Sequence, residues 1–132
     1  MKALKAALVC SFVALGSRAA LAQDPVKVDP AHYKVVMENA SVRVLKIDYA
    51  AGAKSPMHQH PDSIVIPLTA SKVRFTMPDG TTQDSELANE SAMYTPAGTH
   101  SPANVGTGRL TGATSSDSNR DSGGSGGAIP AS

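Results

Sequence analysis

The chain has 132 residues, with 12 Lys and Arg against 11 Asp and Glu, and a single Cys. This length suits one small domain, and the near-neutral charge argues against nucleic-acid binding, which requires a basic excess. One Cys excludes an intramolecular disulfide, a CxxC redox pair and a Cys-based zinc cluster.

Residues 1–22 have the pattern of a signal peptide. Two Lys residues precede an apolar run over 6–16, and a small-residue cleavage site ends at Ala22. The run is shorter than the roughly 20 residues that span a bilayer, although an uncleaved anchor or a core helix is an alternative. Cleavage would leave 9 basic and 11 acidic side chains. The signal-peptide pattern predicts a periplasmic or secreted protein with no membrane association after cleavage.

Residues 111–132 are rich in Gly and Ser, and Ile129 is their only large apolar side chain. Such a segment buries too little apolar surface to offset the entropy lost on ordering. We therefore predict a disordered tail over 111–132 and one folded domain over 26–110.

The middle of the chain is predicted to consist of short strands. Lys72, Arg74 and Thr76 alternate with Val73 and Phe75, which gives one polar and one apolar face. Turn residues separate such segments at intervals of roughly ten residues, which indicates an antiparallel sandwich or barrel. Only 85–90 has helical character, and it is short. The predicted strands are 42–49, 64–68, 72–77, 92–95 and 99–105.

Three histidines form the candidate site. His58 and His60 stand two residues apart, so on a strand both imidazoles face the same side. His100 lies on another predicted strand. Neutral imidazoles suit a transition metal, but two nearby His residues alone are more often a solvent-exposed pair. His32 lies outside this pattern and is predicted to be a surface or packing residue.

The residues around these histidines resemble the two motifs of the cupin superfamily. Gly52 precedes His58 and His60 at the spacing of the first motif, and Pro96-Ala97-Gly98 with His100 and Asn104 resembles the second. The resemblance is closest to small single-domain cupins of unassigned function. It implies an all-β fold, a small antiparallel double-stranded β-helix barrel of the RmlC-like jelly-roll type, with metal ligands on its inner wall. It also implies a homodimer.

Two departures from the cupin pattern stand out. The first motif has a Glu where this chain has Ile64 and Val65, so the anionic ligand is absent; Asp62 is the candidate replacement, or else a turn residue. In addition, the last cupin strand is replaced by the Gly/Ser-rich segment after Leu110. A truncated or frameshifted gene, a strand donated by a partner, or a strand near Val26–Val28 would each account for the open edge.

Three functions are compatible with this sequence. The first is an exported metal-binding cupin acting on a small molecule, as a dioxygenase or isomerase. Its divalent transition metal (Fe, Mn, Ni or Zn) would be held by His58, His60, His100 and Asp62, with no separate catalytic residue. The second is a non-enzymatic small-ligand-binding cupin module. The third is a degenerate cupin without activity.

Overall fold

The computed structural model describes residues 23–118, so the predicted signal peptide and residues 119–132 lie outside the described residues. No helix within 23–118 is long and apolar enough to cross a membrane. One helical turn precedes nine strands: α1 Pro25–Val28, β1 Tyr33–Glu38, β2 Val42–Tyr49, β3 His58–His60, β4 Ser63–Pro67, β5 Ser71–Thr76, β6 Thr82–Leu87, β7 Met93–Thr95, β8 Gly98–Asn104 and β9 Leu110–Asp117.

The strands form two sheets in which every pairing is antiparallel. The first sheet has the order β1-β2-β9-β4-β7, and the second has the order β3-β8-β5-β6. This is the predicted all-β double-stranded β-helix. Among the described residues neither sheet closes on itself, so the architecture is a two-sheet jelly roll rather than a closed barrel.

The core lies between the sheets and follows the alternation of the strands. On β5, Val73 is buried while Arg74 is exposed and pairs with Asp84 across the hairpin. The turn that joins β5 to β6 places Gly80 at φ +85, a conformation that glycine adopts without steric cost. Within residues 23–118, the buried hydrophobic cluster consists of Tyr33, Leu45, Tyr49, Val73, Leu87 and Leu110.

The prediction of a disordered tail from residue 111 is wrong for the segment that forms β9. This strand lies at the centre of the five-stranded sheet and pairs with β2 over its whole length and with β4 from Ser63 to Pro67. Its backbone groups therefore find partners on both sides, which a composition argument does not count. A side chain at Gly112 would meet the Ile66 carbonyl at 3.1 Å, so a small residue fits this crowded position.

Because β9 is present, the predicted missing strand and its open edge are also wrong. The domain extends beyond the predicted boundary at residue 110. The strand considered near Val26–Val28 is instead the helical turn α1. The first half of the segment with helical character, residues 85–87, belongs to β6, which pairs with β5.

Candidate functional site

The pairing of β3 with β8 brings the three predicted histidines together. His58 stands directly opposite His100, and His60 stands opposite Gly98. Directly opposed residues share a face of the sheet, and so do residues two apart on one strand. The His100 ring centroid lies 5.3 Å from that of His58 and 4.7 Å from that of His60. All three rings line the cavity between the sheets.

Backbone carbonyls orient two of these rings. His58 Nδ1 lies 3.0 Å from the Pro56 carbonyl oxygen, and His60 Nδ1 lies 2.9 Å from that of Pro61. A carbonyl oxygen can only accept a hydrogen bond, so each Nδ1 carries the proton and each Nε2 keeps its lone pair. Histidine ligands of metals are oriented in this way in many proteins.

Burial keeps two imidazoles of the cluster uncharged. Together with the neighbouring His60 and His58, it lowers the pKa of His100 to about 3. Burial also lowers the pKa of His58, whose side chain is almost fully enclosed. Neutral imidazole is the form that binds metals, so near neutral pH these rings need not lose a proton first.

Two tyrosines that the sequence analysis did not single out extend the site behind His58. The Tyr33 hydroxyl lies 3.4 Å from His58 Nε2 and accepts a 2.9 Å hydrogen bond from the Tyr49 hydroxyl. Burial raises the pKa of Tyr49 to about 12 and that of Tyr33 well above its usual value. Both phenols therefore stay protonated. The inward alternation of β2 was the signal that could have indicated Tyr49.

Asp62, the candidate fourth metal ligand, makes a structural contact. Its Oδ1 accepts a 2.8 Å hydrogen bond from the backbone N–H of Ala97, and it does not line the cavity. The carboxylate thus joins the loop after β3 to the Pro96-Ala97-Gly98 turn, as the turn-residue alternative implies. His32 takes a packing position, stacked on Tyr49 at 4.4 Å and paired with Asp29.

The fit of a metal ion can be judged from the donors present. Three imidazoles, two with Nδ1 held by carbonyls and two kept neutral by burial, suit a late transition metal in kind. Within residues 23–118, however, no three His, Cys, Asp or Glu side chains are arranged as a metal-holding group. The donor chemistry fits, and the structure defines neither a coordination geometry nor a metal identity.

The cavity beside the imidazoles has a volume of about 120 Å³ and opens between the two sheets. An apolar cavity of roughly this size can hold a molecule such as benzene. Asn104 is buried outside the cavity lining and is structural, because its Nδ2 donates to the carbonyls of Ala50 and Gly108. Most of the lining is apolar and comes from both sheets, including Leu45, Ile47, Val65, Pro67, Val73, Phe75, Leu87, Met93 and Leu110.

No family model and no curated protein matches this chain. Among solved structures, it is similar to a cupin-domain protein of Bordetella pertussis Tohama I, with a TM-score of 0.60, 22% identity, and coverage of 64% of this chain and 90% of that chain. A protein of Bacillus halodurans matches with a TM-score of 0.55 and 19% identity, over 73% of this chain and 76% of that chain. A third similar structure is an RmlC-like cupin family protein with a double-stranded β-helix fold from Methanocaldococcus jannaschii. Its TM-score is 0.52 at 14% identity, and the match covers 64% of this chain and 77% of that chain. The chain therefore has the cupin fold.

Proposed function

We propose that this chain is an exported cupin that binds a divalent transition metal ion through His58, His60 and His100 and takes a small molecule in the adjoining cavity. The observation that carries the proposal is the convergence of the three imidazoles on one face of β3 and β8, at the cavity wall. The cupin fold supports it, since the metal ligands expected from the resemblance lie on that inner wall.

The residues of the chain contribute orientation and exclusion of water. The Pro56 and Pro61 carbonyls hold the two Nδ1 protons, so the Nε2 atoms of His58 and His60 would be the ligating nitrogens. His58 Nε2 would exchange its 3.4 Å contact with the Tyr33 hydroxyl for the ion. Val73 and Phe75 form an apolar wall beside His100. A bound Fe, Mn, Ni or Zn ion would supply the Lewis-acid or redox chemistry of a dioxygenase or isomerase. No other side chain of the cluster is placed to act as a general base.

Metal analysis of the purified mature protein tests this proposal. We expect a stoichiometric transition metal in the wild type and loss of most of it in His58→Ala and His60→Ala. His32→Ala removes an imidazole outside the cavity and should keep the metal, which makes it the matched control. Circular dichroism checks that the variants fold. If the wild type and His58→Ala retain equally little metal, the proposal loses its basis.

A non-enzymatic ligand-binding module is the second candidate. The position of Asp62 favours it, because this carboxylate bonds to Ala97 and does not line the cavity, so Asp62 adds no anionic ligand to the three imidazoles. In that case a bound ion is structural and carries no exchangeable water. Water-proton relaxation of the manganese-loaded protein separates the two, since an open catalytic site enhances relaxation and a closed structural site does not.

We also propose that the protein forms a homodimer after export to the periplasm or medium. Exposed apolar side chains on β4 and β7, notably Ile64, Ile66 and Tyr94, support an association surface. Light scattering after size exclusion tests the assembly, and a monomeric Ile64→Lys variant beside a dimeric wild type would locate the surface.

A further inference from the structure

The inner face of the five-stranded sheet carries one row of polar side chains at a single end of the cavity. Arg43 on β2 stands opposite Ser116 on β9, Ser116 opposite Ser63 on β4, and Ser63 opposite Thr95 on β7. All four line the cavity. The next row inward contains Leu45, Thr114, Val65 and Met93 and is mainly apolar.

Arg43 is the one Lys or Arg among the described residues that line this cavity. Its guanidinium is largely buried, with 21% of the side chain exposed, and its buried Nε has no hydrogen-bond partner within residues 23–118. The nearest additional acid is Glu38, whose Oε2 lies 3.7 Å from this Nε. A buried donor without a partner calls for an explanation, and an exchangeable ligand is one.

The present partner of Arg43 is a carboxylate at the start of the described chain. Asp24 pairs with Arg43 Nη1 and is the one acid lining the cavity within the described residues. Its segment is held by the Gln59 N–H bond to the Gln23 carbonyl, by the helical turn that Asp24 caps, and by the burial of Pro25 and the packing of Val26 against the core. Asp24 therefore occupies the place that the carboxylate of a ligand would take on the guanidinium.

We infer that the cavity binds a compact organic carboxylate. Its anionic group would take the place of Asp24 on Arg43, beside the hydroxyls of Ser116 and Thr95, and its apolar body would lie against Val65 and Met93. The guanidinium fork matches a carboxylate with two parallel hydrogen bonds, and a charge taken into this apolar space needs such a partner. Asp24 is then an internal competitor. The inference rests on one part of the proposed function, which is that a small molecule binds in the cavity. It does not require a metal.

Benzoate and the neutral benzamide are the probes, since they share a shape suited to a cavity of this size. We expect calorimetry on the purified full-length mature protein to show benzoate binding at least about tenfold tighter than benzamide. Arg43→Gln should weaken benzoate by about 10- to 100-fold and change benzamide by less than about threefold, because only the carboxylate gains charge-assisted hydrogen bonds. Asp24→Asn should tighten benzoate several-fold by removing the competing charge.

Lys46→Gln on β2 makes the same charge change on an exposed side chain and should leave both affinities unchanged. Arg43→Lys keeps the charge without the fork and should give an intermediate benzoate affinity, which covers the case of a poorly folded Arg43→Gln. Equal losses of benzoate and benzamide in Arg43→Gln, weaker benzoate binding in Asp24→Asn, or no benzoate binding by the wild type at millimolar concentration would each overturn the inference. Repeating the titration after chelation separates it from the metal proposal: benzoate selectivity that survives chelation supports the carboxylate inference whatever the metal analysis of the untreated protein shows.

Discussion

The hairpin β5–β6 and the region where residues 100–117 meet residues 42–67 are held together in different ways. In the hairpin, strands adjacent in sequence pair through a short turn, and the charged pairs Lys72–Glu86 and Arg74–Asp84 face solvent. In the second region, β9 inserts between β2 and β4, and His100 meets His58 from forty-two positions away. Local pairing is readable from sequence pattern, whereas the cavity and its site depend on contacts distant in sequence.

This difference has an energetic consequence. Exposed ion pairs contribute little to stability because water competes for both charges. Buried polar groups such as Asn104 and His58 contribute through the cost of leaving a partner unsatisfied. Changes in the long-range region should therefore cost far more than changes in the hairpin, even where the hydrogen bonds look similar.

Removing β9 gives the largest expected effect. A chain that ends at Leu110 loses the central strand of its sheet and leaves the edges of β2 and β4 unpaired. We expect it to show no cooperative thermal unfolding by circular dichroism. A chain that ends at Ser118 is the matched control and should unfold as the wild type does. A folded, cooperative domain ending at Leu110 would contradict the role assigned to β9.

Substitution of Asn104 should give the next largest effect. Its side chain bonds the carbonyls of Ala50 and Gly108 and the N–H of Gly106 from a fully buried position. Asn104→Ala should lower the free energy of unfolding by about 2–4 kcal/mol, measured by urea titration. Asn39→Ala is the matched control, because Asn39 caps an exposed local turn before β2 and its loss should stay below about 1 kcal/mol. Equal losses of unfolding free energy in the two variants would contradict the expected difference between long-range and local contacts.

Part of this structure could be predicted from the sequence, and the rest could not, for physical reasons that particular residues show. Alternation predicted β2 with its observed bounds and β5 within a residue, and the motif resemblance brought His58, His60 and His100 to one site. Between Leu110 and Asp117, β9 consists of Gly, Ala, Ser and Thr. This composition is typical of a linker, but both neighbouring strands form hydrogen bonds with β9. Arg43 and Tyr33 also escaped notice, since the register with β9 places Arg43 at the cavity, and Tyr33 reaches it through the pairing of β1 with β2 and its ring contact with His58.

Acid should weaken the cavity region through His100. In the unfolded chain this imidazole titrates near its ordinary value of 6.5, and in the folded protein its pKa is about 3 because it is buried. Between these values the unfolded chain binds the proton and the folded chain does not, so stability falls as the pH drops from 6.5 towards 3. The slope for the chelated protein should reach up to about 1.4 kcal/mol per pH unit from this group.

Urea titrations at several pH values check this expectation. His100→Asn removes one titrating group and should reduce the dependence between pH 6.5 and 4, leaving the part that comes from His58, whose pKa burial also lowers. The same slope in wild type and His100→Asn would mean that His100 is not held neutral by burial.

The smallest effect is expected in the hairpin. Arg74 donates two 2.7 Å hydrogen bonds to Asp84, a bidentate geometry that would matter in a buried site. Here both side chains are about half exposed, at 49% and 57%, so water can replace either bond. Arg74→Gln should shift the unfolding temperature by no more than about 1–2 °C and should leave metal content and benzoate affinity unchanged. A loss as large as that of Asn104→Ala would show that the hairpin, too, is coupled to the core, since local ion pairing alone cannot supply it.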